Sequence, residues 1–318
     1  MNTEALIGHH VSMMGAPAPV TQDIAWLQTV MVNVLFVTNP DGSWVLVDAG
    51  LPYFTGRIKR AAESLFGGAP PAAIVLTHGH FDHVGCIELA DEWDVPVWAH
   101  ELEMPYLTGR CDYPPPDPSV GGGLMARTAM LYPRGAVDLG ERARVLPEDG
   151  TVPPMPGWRW IHTPGHTPGH VSLFRDEDRV LLAGDAFCTQ KQESAVAVMS
   201  NHQQVHGPPA YFTTDWLAAE ESVRKLVNLH PLVAATGHGI PMRGERLAEG
   251  LTQLAAEFRR LAVPSDGRYV REPARADASG VTYVPPPVPD PVPKMLGAAV
   301  LVGVAAFVLT AMGRDDRS

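Results

Sequence analysis

Residues 77–85 read Thr-His-Gly-His-Phe-Asp-His-Val-Gly, which places three imidazoles and one carboxylate close together directly after an apolar run. Neutral imidazole and carboxylate are the ligands that zinc and similar divalent ions prefer. Because alternate side chains of an extended segment point to the same side, His78 and His80 can bind one ion together. Asp82 and His83 follow where the chain is expected to turn into a helix, and they can face a second ion. The segment therefore predicts a metal site at the end of a buried strand.

Three later segments also end an apolar run with a side chain that can ligate a metal. His166 lies in the Pro/Gly-rich loop 162–170, Asp185 follows Leu-Leu-Ala-Gly, and His238 follows Val-Ala-Ala-Thr-Gly. Loops at one edge of a rigid sheet are where proteins usually present reactive groups. The alternative for residues 77–85 is a surface turn rich in histidine, but three histidines and an aspartate at the end of a strand disfavour it.

These motifs resemble those of the metallo-β-lactamase-fold hydrolases and follow the family's order across residues 33–240. The matching pattern is His78-x-His80-x-Asp82-His83, then His166, Asp185 and His238, with Asp48 in Val-Asp-Ala-Gly as the family's early aspartate. The resemblance implies an α/β (α+β) fold, the αββα sandwich, with the site at the common edge of two sheets.

The resemblance also implies two metal ions per chain, which we expect to be zinc, with iron or manganese as alternatives. The implied ligands are His78, His80 and His166 for the first ion, Asp82, His83 and His238 for the second, and Asp185 as a bridge. A shared carboxylate lets two dications lie roughly 3.5–4 Å apart. Asp48 is expected to orient a ligand histidine, and an acid in a strand-end turn is the alternative for that residue.

The activity implied by the resemblance is metal-assisted hydrolysis, in which metal-bound hydroxide attacks a carbonyl and Asp82 orients it and passes a proton to the leaving group. Asp185 stands where several true β-lactamases carry cysteine, which disfavours antibiotic hydrolysis. Cys188 stands where acyl-homoserine lactonases of this fold have a tyrosine, and the basic substrate-binding residues of the glyoxalase II branch are not recognisable. We expect a small-molecule ester, thioester or lactone as substrate.

Two other functions remain open at this point. A mononuclear iron sulfur dioxygenase of the same fold would use His78, His166 and Asp185 and leave the other ligands idle. A non-catalytic, membrane-tethered binding module would need no complete ligand set. The presence of His238 and of the Asp82-His83 pair favours two metals and hydrolysis over both alternatives.

Composition agrees with an enzyme that acts on a small molecule. The chain has 318 residues, 45% of them hydrophobic, which is enough for one large core or two modest ones. Its net charge of −11 and the lack of a Lys/Arg run disfavour nucleic acid as a partner. Three scattered cysteines suit a reducing compartment.

Strands and helices alternate along the sequence. Strands are predicted at 32–37 and 44–47 as a hairpin, at 72–77 and 95–99, and at 171–174 and 180–183 as a second hairpin. Helices are predicted at 53–66, 82–92, 214–229 and 244–262. The last of these carries an apolar stripe of Leu247, Leu251, Leu254, Phe258 and Leu261.

Two Pro/Gly-rich segments, 105–140 and 186–213, interrupt this alternation, and either one can form a wall of the substrate pocket. Lys191 in the second segment is interpreted as a solvated side chain, with binding of a substrate carboxylate as the alternative. We expect His100 to be a packed or hydrogen-bonded histidine. For His162 and His170 we leave open whether they support the metal ligands or only the fold.

The C-terminal sequence predicts a membrane tether. We assign residues 1–280 to the catalytic domain, 281–294 to a Pro-rich spacer and 295–312 to a transmembrane helix, because this uncharged run spans about 27 Å as a helix. A helix docked on the domain is the alternative. Residues 1–8 show no signal sequence, so the catalytic domain is expected in the cytoplasm. Small residues at 299 and 303 are a weak indication of a homodimer.

Removal of the tail tests this assignment. A chain truncated after Val284 is expected to be soluble and active, while the full-length chain is expected in the carbonate-resistant membrane pellet after fractionation. Full-length protein in the soluble fraction would instead show that residues 295–312 do not anchor the chain.

Overall fold

Two β-sheets packed face to face form the centre of the chain, and helices cover the outer face of each sheet. This arrangement comes from a computed structural model that describes residues 16–200 and 202–288. The predicted αββα sandwich is therefore confirmed for the described residues.

The first sheet contains seven strands in the order of the sequence. They are β1 (Ala18–Pro19), β2 (Ile24–Thr29), β3 (Val32–Thr38), β4 (Trp44–Val47), β5 (Ala73–Val75), β6 (Val97–Ala99) and β7 (Ala143–Val145). The strands from β1 to β4 pair antiparallel, and those from β4 to β7 pair parallel. The parallel half carries the loop that follows β5, which holds the 77–85 motif.

The second sheet contains five strands in the order β12-β11-β10-β9-β8. They are β8 (Trp158–His162), β9 (Val171–Arg175), β10 (Val180–Gly184), β11 (Val233–Thr236) and β12 (Met242–Arg243). Only β10 and β11 pair parallel, so the loops after these two strands leave from the same edge. A separate hairpin joins β13 (Arg275–Asp277) to β14 (Gly280–Tyr283).

Nine α-helices lie in the described part of the chain. They are α1 (Thr55–Phe66), α2 (Leu89–Trp93), α3 (Met104–Leu107), α4 (Leu124–Thr128), α5 (Ala195–Ser200), α6 (Trp216–Val227), α7 (Gly244–Ala256), α8 (Phe258–Leu261) and α9 (Arg268–Arg271). Helix α1 packs on the first sheet, and α6 and α7 pack on the second.

Alternation along the strands builds three apolar layers, because successive side chains of a strand point to opposite faces. Val45 and Val47 pack between the sheets, whereas Leu46 packs against α1. Leu182 likewise packs between the sheets, and Leu181 packs against α6 and α7. Both sheets are thus covered on both faces, and the strand-end loops of one edge remain for function.

The helix predicted at 82–92 is wrong for residues 82–88, which form turns, since α2 begins only at Leu89. Besides short local turns, the backbone of this segment bonds to the loop after β4. Ala49 N–H donates to His83 O at 2.6 Å, and Gly85 N–H donates to Gly50 O at 2.8 Å. These bonds hold the 77–85 motif against the first sheet.

Other predicted elements differ less from the structure. Both hairpins are present, and the predicted helix at 244–262 is divided into α7 and α8. Four members of its apolar stripe are buried, but Leu261 is 40% exposed. The prediction is wrong for Leu261 because the break between α7 and α8 turns the chain after Ala256.

The C-terminal prediction falls largely outside the described residues. Residues 281–283, which the sequence analysis assigned to the spacer, belong to β14. The remainder of the spacer beyond residue 288, and the whole predicted helix at 295–312, lie outside the described residues. No helix in the described ranges is both long and apolar enough to span a bilayer.

Candidate metal centre

All seven predicted metal ligands lie in loops that leave the two sheets at one common edge. The loop after β5 carries four of them, and the β8–β9 loop, the end of β10 and the end of β11 carry one each. The seven side chains are His78, His80, Asp82, His83, His166, Asp185 and His238, and all are buried. The structure therefore brings together every residue that the sequence analysis assigned to the two ions.

The first predicted group consists of His78, His80 and His166. His80 Nδ1 lies 3.0 Å from His78 Nε2 and 2.9 Å from His166 Nε2. Ligand nitrogens of a tetrahedral zinc ion with bonds of 2.0–2.1 Å lie about 3.3 Å apart. The three nitrogens thus converge closely enough to share one ion after a small outward shift.

The second predicted group consists of Asp82, His83 and His238. One ligand atom from each residue lies within 4.8 Å of the others. Within the group, His238 Nε2 lies 3.5 Å from Asp82 Oδ2. A carboxylate oxygen and two imidazole nitrogens form a donor set suited to zinc, iron or manganese.

Asp185 lies between the two groups. Its Oδ2 atom is 3.5 Å from His166 Nε2 in the first group. The same atom is 3.1 Å from His238 Nε2 and 3.6 Å from His83 Nε2 in the second group. One carboxylate oxygen therefore faces nitrogens of both groups, as a bridging ligand must.

Two buried atoms show that the side chains present fit metal ions. His83 Nε2 and Asp185 Oδ1 are buried and have no hydrogen-bond partner among the residues that the structure describes. A buried polar atom without a partner costs about 1–3 kcal/mol. Both atoms belong to candidate ligands and both can donate an electron pair, so a divalent ion would satisfy them.

Glycine at position 237 leaves the space that Asp185 and His83 occupy. A Cβ atom at Gly237 would overlap Asp185 Oδ1 and would lie 2.6 Å from His83 Cε1. Gly184, just before Asp185, has a φ of +54°, and a Cβ atom there would lie 2.6 Å from His170 Nε2. Gly237 therefore lets Asp185 and His83 approach each other closely, and Gly184 lets the turn before Asp185 approach His170.

Burial keeps the first group of imidazoles neutral. It lowers the pKa of His78 and His80 well below the usual value, with a further contribution from neighbouring histidines. It lowers the pKa of His166 to about 3. Because a metal binds the unprotonated nitrogen, these three side chains are ready to ligate at neutral pH without losing a proton.

For His83 of the second group and for Asp185, charged neighbours outweigh burial in determining the pKa values. Burial acts to lower the pKa of His83, but the charges of Asp48 and Asp185 outweigh burial and hold that pKa well above its usual value. Burial acts to raise the pKa of Asp185, but His238 and His83 outweigh it and hold that pKa well below its usual value. Ion binding here would displace a proton from the imidazoles.

Asp48 connects to histidines of both groups. His83 Nδ1–H donates to Asp48 Oδ2 at 2.8 Å. The hydroxyl of Thr77 donates to the same oxygen at 2.9 Å and lies 3.1 Å from His78 Nδ1. The Asp48 carboxylate thus directs the Nε2 atoms of His78 and His83 toward the centre.

Two supporting residues were not assigned from the sequence. Asn33 Nδ2 donates to Thr236 O at 2.9 Å and to Gly239 O at 2.6 Å, which fixes the loop that carries His238. His170, left open above, accepts from the Asp185 backbone N–H at 2.8 Å. The available sequence signals are that Asn33 is a polar residue within an apolar run and that His170 is the third histidine at a four-residue spacing in its loop.

The other histidines considered above lie apart from the ligands. His100 and His162 stack with ring centroids 4.4 Å apart, and His100 Nδ1 accepts from Leu102 N–H. This is the packed, hydrogen-bonded role expected of His100. Lys191 is exposed and lines a cavity of about 300 Å³ together with His206, away from the seven ligands.

Aromatic side chains from both irregular segments pack beside the ligands. The Phe212 ring lies 4.6 Å from the His80 ring, and Phe81 lies 5.7 Å from Tyr132. Phe81 and Tyr132 are half-buried, and Asp82 and His80 are 6% and 4% exposed, more than the other ligands. The two most exposed ligands therefore lie on the side where these aromatic residues pack.

The sequence profile of the metallo-β-lactamase superfamily matches residues 27–238, a range that contains every candidate ligand. The chain belongs to the metallo-β-lactamase superfamily. It is similar to the "Probable metallo-hydrolase YflN" of Bacillus subtilis (strain 168), with 49% identity over 245 residues that cover 76% of this chain and 93% of that protein. The family membership predicted from the motifs is confirmed.

Two further similarities are less extensive. The chain is 32% identical over 113 residues to the hydroxyacylglutathione hydrolase GloC of Haemophilus influenzae, which covers 35% of this chain and 48% of that protein. The crystal structure of a beta-lactamase domain protein from Burkholderia ambifaria has a TM-score of 0.53 at 21% identity, over 77% of this chain and 76% of that one. The crystal structure shows the shared fold. The family and its metallo-hydrolase relatives identify this chain as a metal-dependent hydrolase.

Substitution of Gly237 tests the packing at the centre. Gly237→Ala is expected to lower metal affinity by on the order of 10-fold or more, because the new methyl group displaces Asp185 and His83. Gly135→Ala is the matched control, since its Cβ atom would meet nothing closer than 3.9 Å. Chelator competition measures both affinities, and equal affinities in the two variants would contradict the packing argument.

Proposed function

We propose that the chain is a binuclear zinc hydrolase that cleaves an ester, thioester or lactone. In this proposal His78, His80 and His166 hold one ion, Asp82, His83 and His238 hold the other, and Asp185 bridges them. The observation that carries the proposal is the position of Asp185 Oδ2, which lies 3.1–3.6 Å from imidazole nitrogens of both groups. Iron or manganese would suit the same donors.

Two bound divalent ions would supply an acidified water molecule and a Lewis acid for the substrate carbonyl. The protein's own contribution is to fix which nitrogen of each ring faces the ions. His238 Nδ1–H donates to Met31 O at 2.9 Å, and His83 Nδ1–H donates to Asp48, so each ring presents Nε2 inward. Such hydrogen bonds set the tautomer and the orientation of a ligand histidine.

Asp82 is the residue that we propose for proton transfer. It is 6% exposed and its Oδ2 atom lies 3.5 Å from His238 Nε2, so one carboxylate oxygen can ligate while the other remains available for proton transfer. Burial raises the pKa of Asp82, which favours a carboxyl group able to accept a proton and release it to the leaving group.

The aromatic residues at the entrance support a substrate with an apolar group beside its scissile carbonyl. Phe81 and Tyr132 are half-buried there, and Tyr211 and Phe212 pack behind them. Apolar and aromatic walls with a few polar groups are usual for small-molecule pockets. GloC, whose name gives an acylated glutathione as its substrate, adds support for the thioester class.

The number of bound metals separates this proposal from a sulfur dioxygenase with one iron. A single ion on His78, His166 and Asp185 would leave Asp82, His83 and His238 without a ligand role, although their ligand atoms lie within 4.8 Å of one another. The grouping of those three residues therefore supports two metals.

The proposal for location and assembly rests on the C-terminal sequence alone. We propose a catalytic domain in the cytoplasm that residues 295–312 tether to a membrane, with small residues in that segment allowing a homodimer. If those residues dock on the domain, the protein would be cytoplasmic without a tether.

Metal analysis of a bridging variant tests the two-metal proposal. The wild-type protein is expected to hold close to two zinc ions per chain, and Asp185→Ala is expected to lose metal most severely because both ions lose a ligand. Asp149→Ala, at an exposed turn, is the control. Inductively coupled plasma measurement of full metal content in Asp185→Ala would exclude the bridge, and one iron per wild-type chain would favour the dioxygenase.

Replacement of Asp82 tests the proposed proton transfer. Asp82→Asn is expected to reduce turnover on the order of 100-fold on the best substrate of an ester, thioester, lactone and phosphodiester panel. The first metal should remain, because His78, His80 and His166 are unchanged. Near-normal turnover of Asp82→Asn with its metal retained would assign the proton-transfer role to another group.

A further inference from the structure

A buried glutamate, Glu103, lies between the two loops that supply the first group of histidines. It ends a short 3₁₀ turn, Glu101–Glu103, that follows β6, and its side chain is completely buried. None of its described hydrogen bonds comes from a positively charged side chain. Burial of a carboxylate is costly unless hydrogen bonds satisfy it, so its contacts show what it holds.

The two oxygens of Glu103 hold different loops. Oε2 accepts from the backbone N–H of Gly79 at 3.0 Å and from the hydroxyl of Tyr113. Oε1 accepts from the backbone N–H of Gly169 at 2.8 Å and from the hydroxyl of Thr167 at 2.7 Å. Gly79 lies between His78 and His80, and Thr167 follows His166 directly, so one carboxylate spans the loops of all three histidines.

Two glycines leave the space that Glu103 and Tyr113 occupy. A Cβ atom at Gly169 would lie 2.8 Å from Glu103 Cγ, and one at Gly79 would lie 2.6 Å from Tyr113 Oη. Tyr113 also packs its ring 4.6 Å from the His80 ring. Tyr113, from the irregular segment 105–140, thus contacts both Glu103 and His80.

We propose that Glu103 is a positioning residue for the first metal ion, an inference that rests on the proposed two-metal centre. Its carboxylate fixes the distance between the 77–85 loop and the 162–170 loop, so that Nε2 of His78, Nδ1 of His80 and Nε2 of His166 converge. Both oxygens must be acceptors, because all four of their partners are donors. A carboxylate offers about four acceptor positions, whereas glutamine replaces one oxygen with a donor.

Glu103→Gln is therefore the direct test, because it keeps the shape and turns one acceptor into a donor. We expect the zinc dissociation constant of the first site, measured by chelator competition, to rise about 10–100-fold. The control is Glu101→Gln, an exposed glutamate in the same turn. An unchanged dissociation constant in Glu103→Gln, with two zinc ions bound to the wild type, would overturn this inference and leave the proposed function intact.

A melting experiment separates positioning from general structural support. Melting temperatures of each variant are measured in excess chelator and in excess zinc, since a ligand stabilises the folded state according to its affinity. A smaller zinc-induced rise in Glu103→Gln than in Glu101→Gln supports positioning. A melting temperature of Glu103→Gln that is lowered equally in chelator and in zinc, so that its zinc-induced rise is unchanged, would overturn the inference. Wild-type protein that binds no zinc would instead overturn the proposed function and this inference together.

Two milder variants keep the test decisive if Glu103→Gln does not fold. Thr167→Val removes one donor to Oε1, and Tyr113→Phe removes one donor to Oε2 while its ring stays against His80. Each is expected to weaken zinc binding on the order of 10-fold or less, in the same direction. Wild-type affinity in both would overturn the inference.

Discussion

A ligand imidazole must present one particular nitrogen to a metal, and a hydrogen bond from the protein to its other nitrogen fixes which one that is. Four of the five candidate histidines are held in this way, each by a different group. Thr77 holds His78, Asp48 holds His83, Thr213 holds His166, and the Met31 carbonyl holds His238, at distances of 2.8–3.3 Å. The surrounding structure is best understood as the support for these four hydrogen bonds, since a ring turned over would remove a ligand.

Charge imposes a second condition on the same space. Asp185 is 1% exposed and keeps its charge only because imidazoles surround it. Burying a charge is costly unless it is paired and hydrogen-bonded. Its backbone N–H donates to His170, which fixes the turn after β10, and Gly237 leaves room for its side chain. Electrostatics and close packing thus act together on the one residue that faces both ligand groups.

The two sheets are connected at the centre by polar contacts as well as by the apolar layer between them. Asn33 of the first sheet binds the loop after β11 of the second, and Glu103 binds the loop before β9 from the far end of the first sheet. The segment 105–140 takes part through Tyr113 and Tyr132, so it belongs to the site rather than to a detached surface loop. A family fold with shared ligands can differ in substrate through such additions.

The sequence by itself predicted the candidate ligands, because His78-x-His80-x-Asp82-His83 is local and its alternation has a direct geometric meaning, while the resemblance to the family implied roles for His166, Asp185 and His238. Strands alternating with helices indicated sheets covered by helices, and the resemblance to the family implied the αββα sandwich. Only the tertiary structure decided that residues 82–88 are turns, because their backbone bonds to the loop after β4. It alone identified Asn33 and Glu103 as well. Each binds loops that carry candidate ligands more than twenty residues away, and neither a propensity nor a local pattern records such contacts.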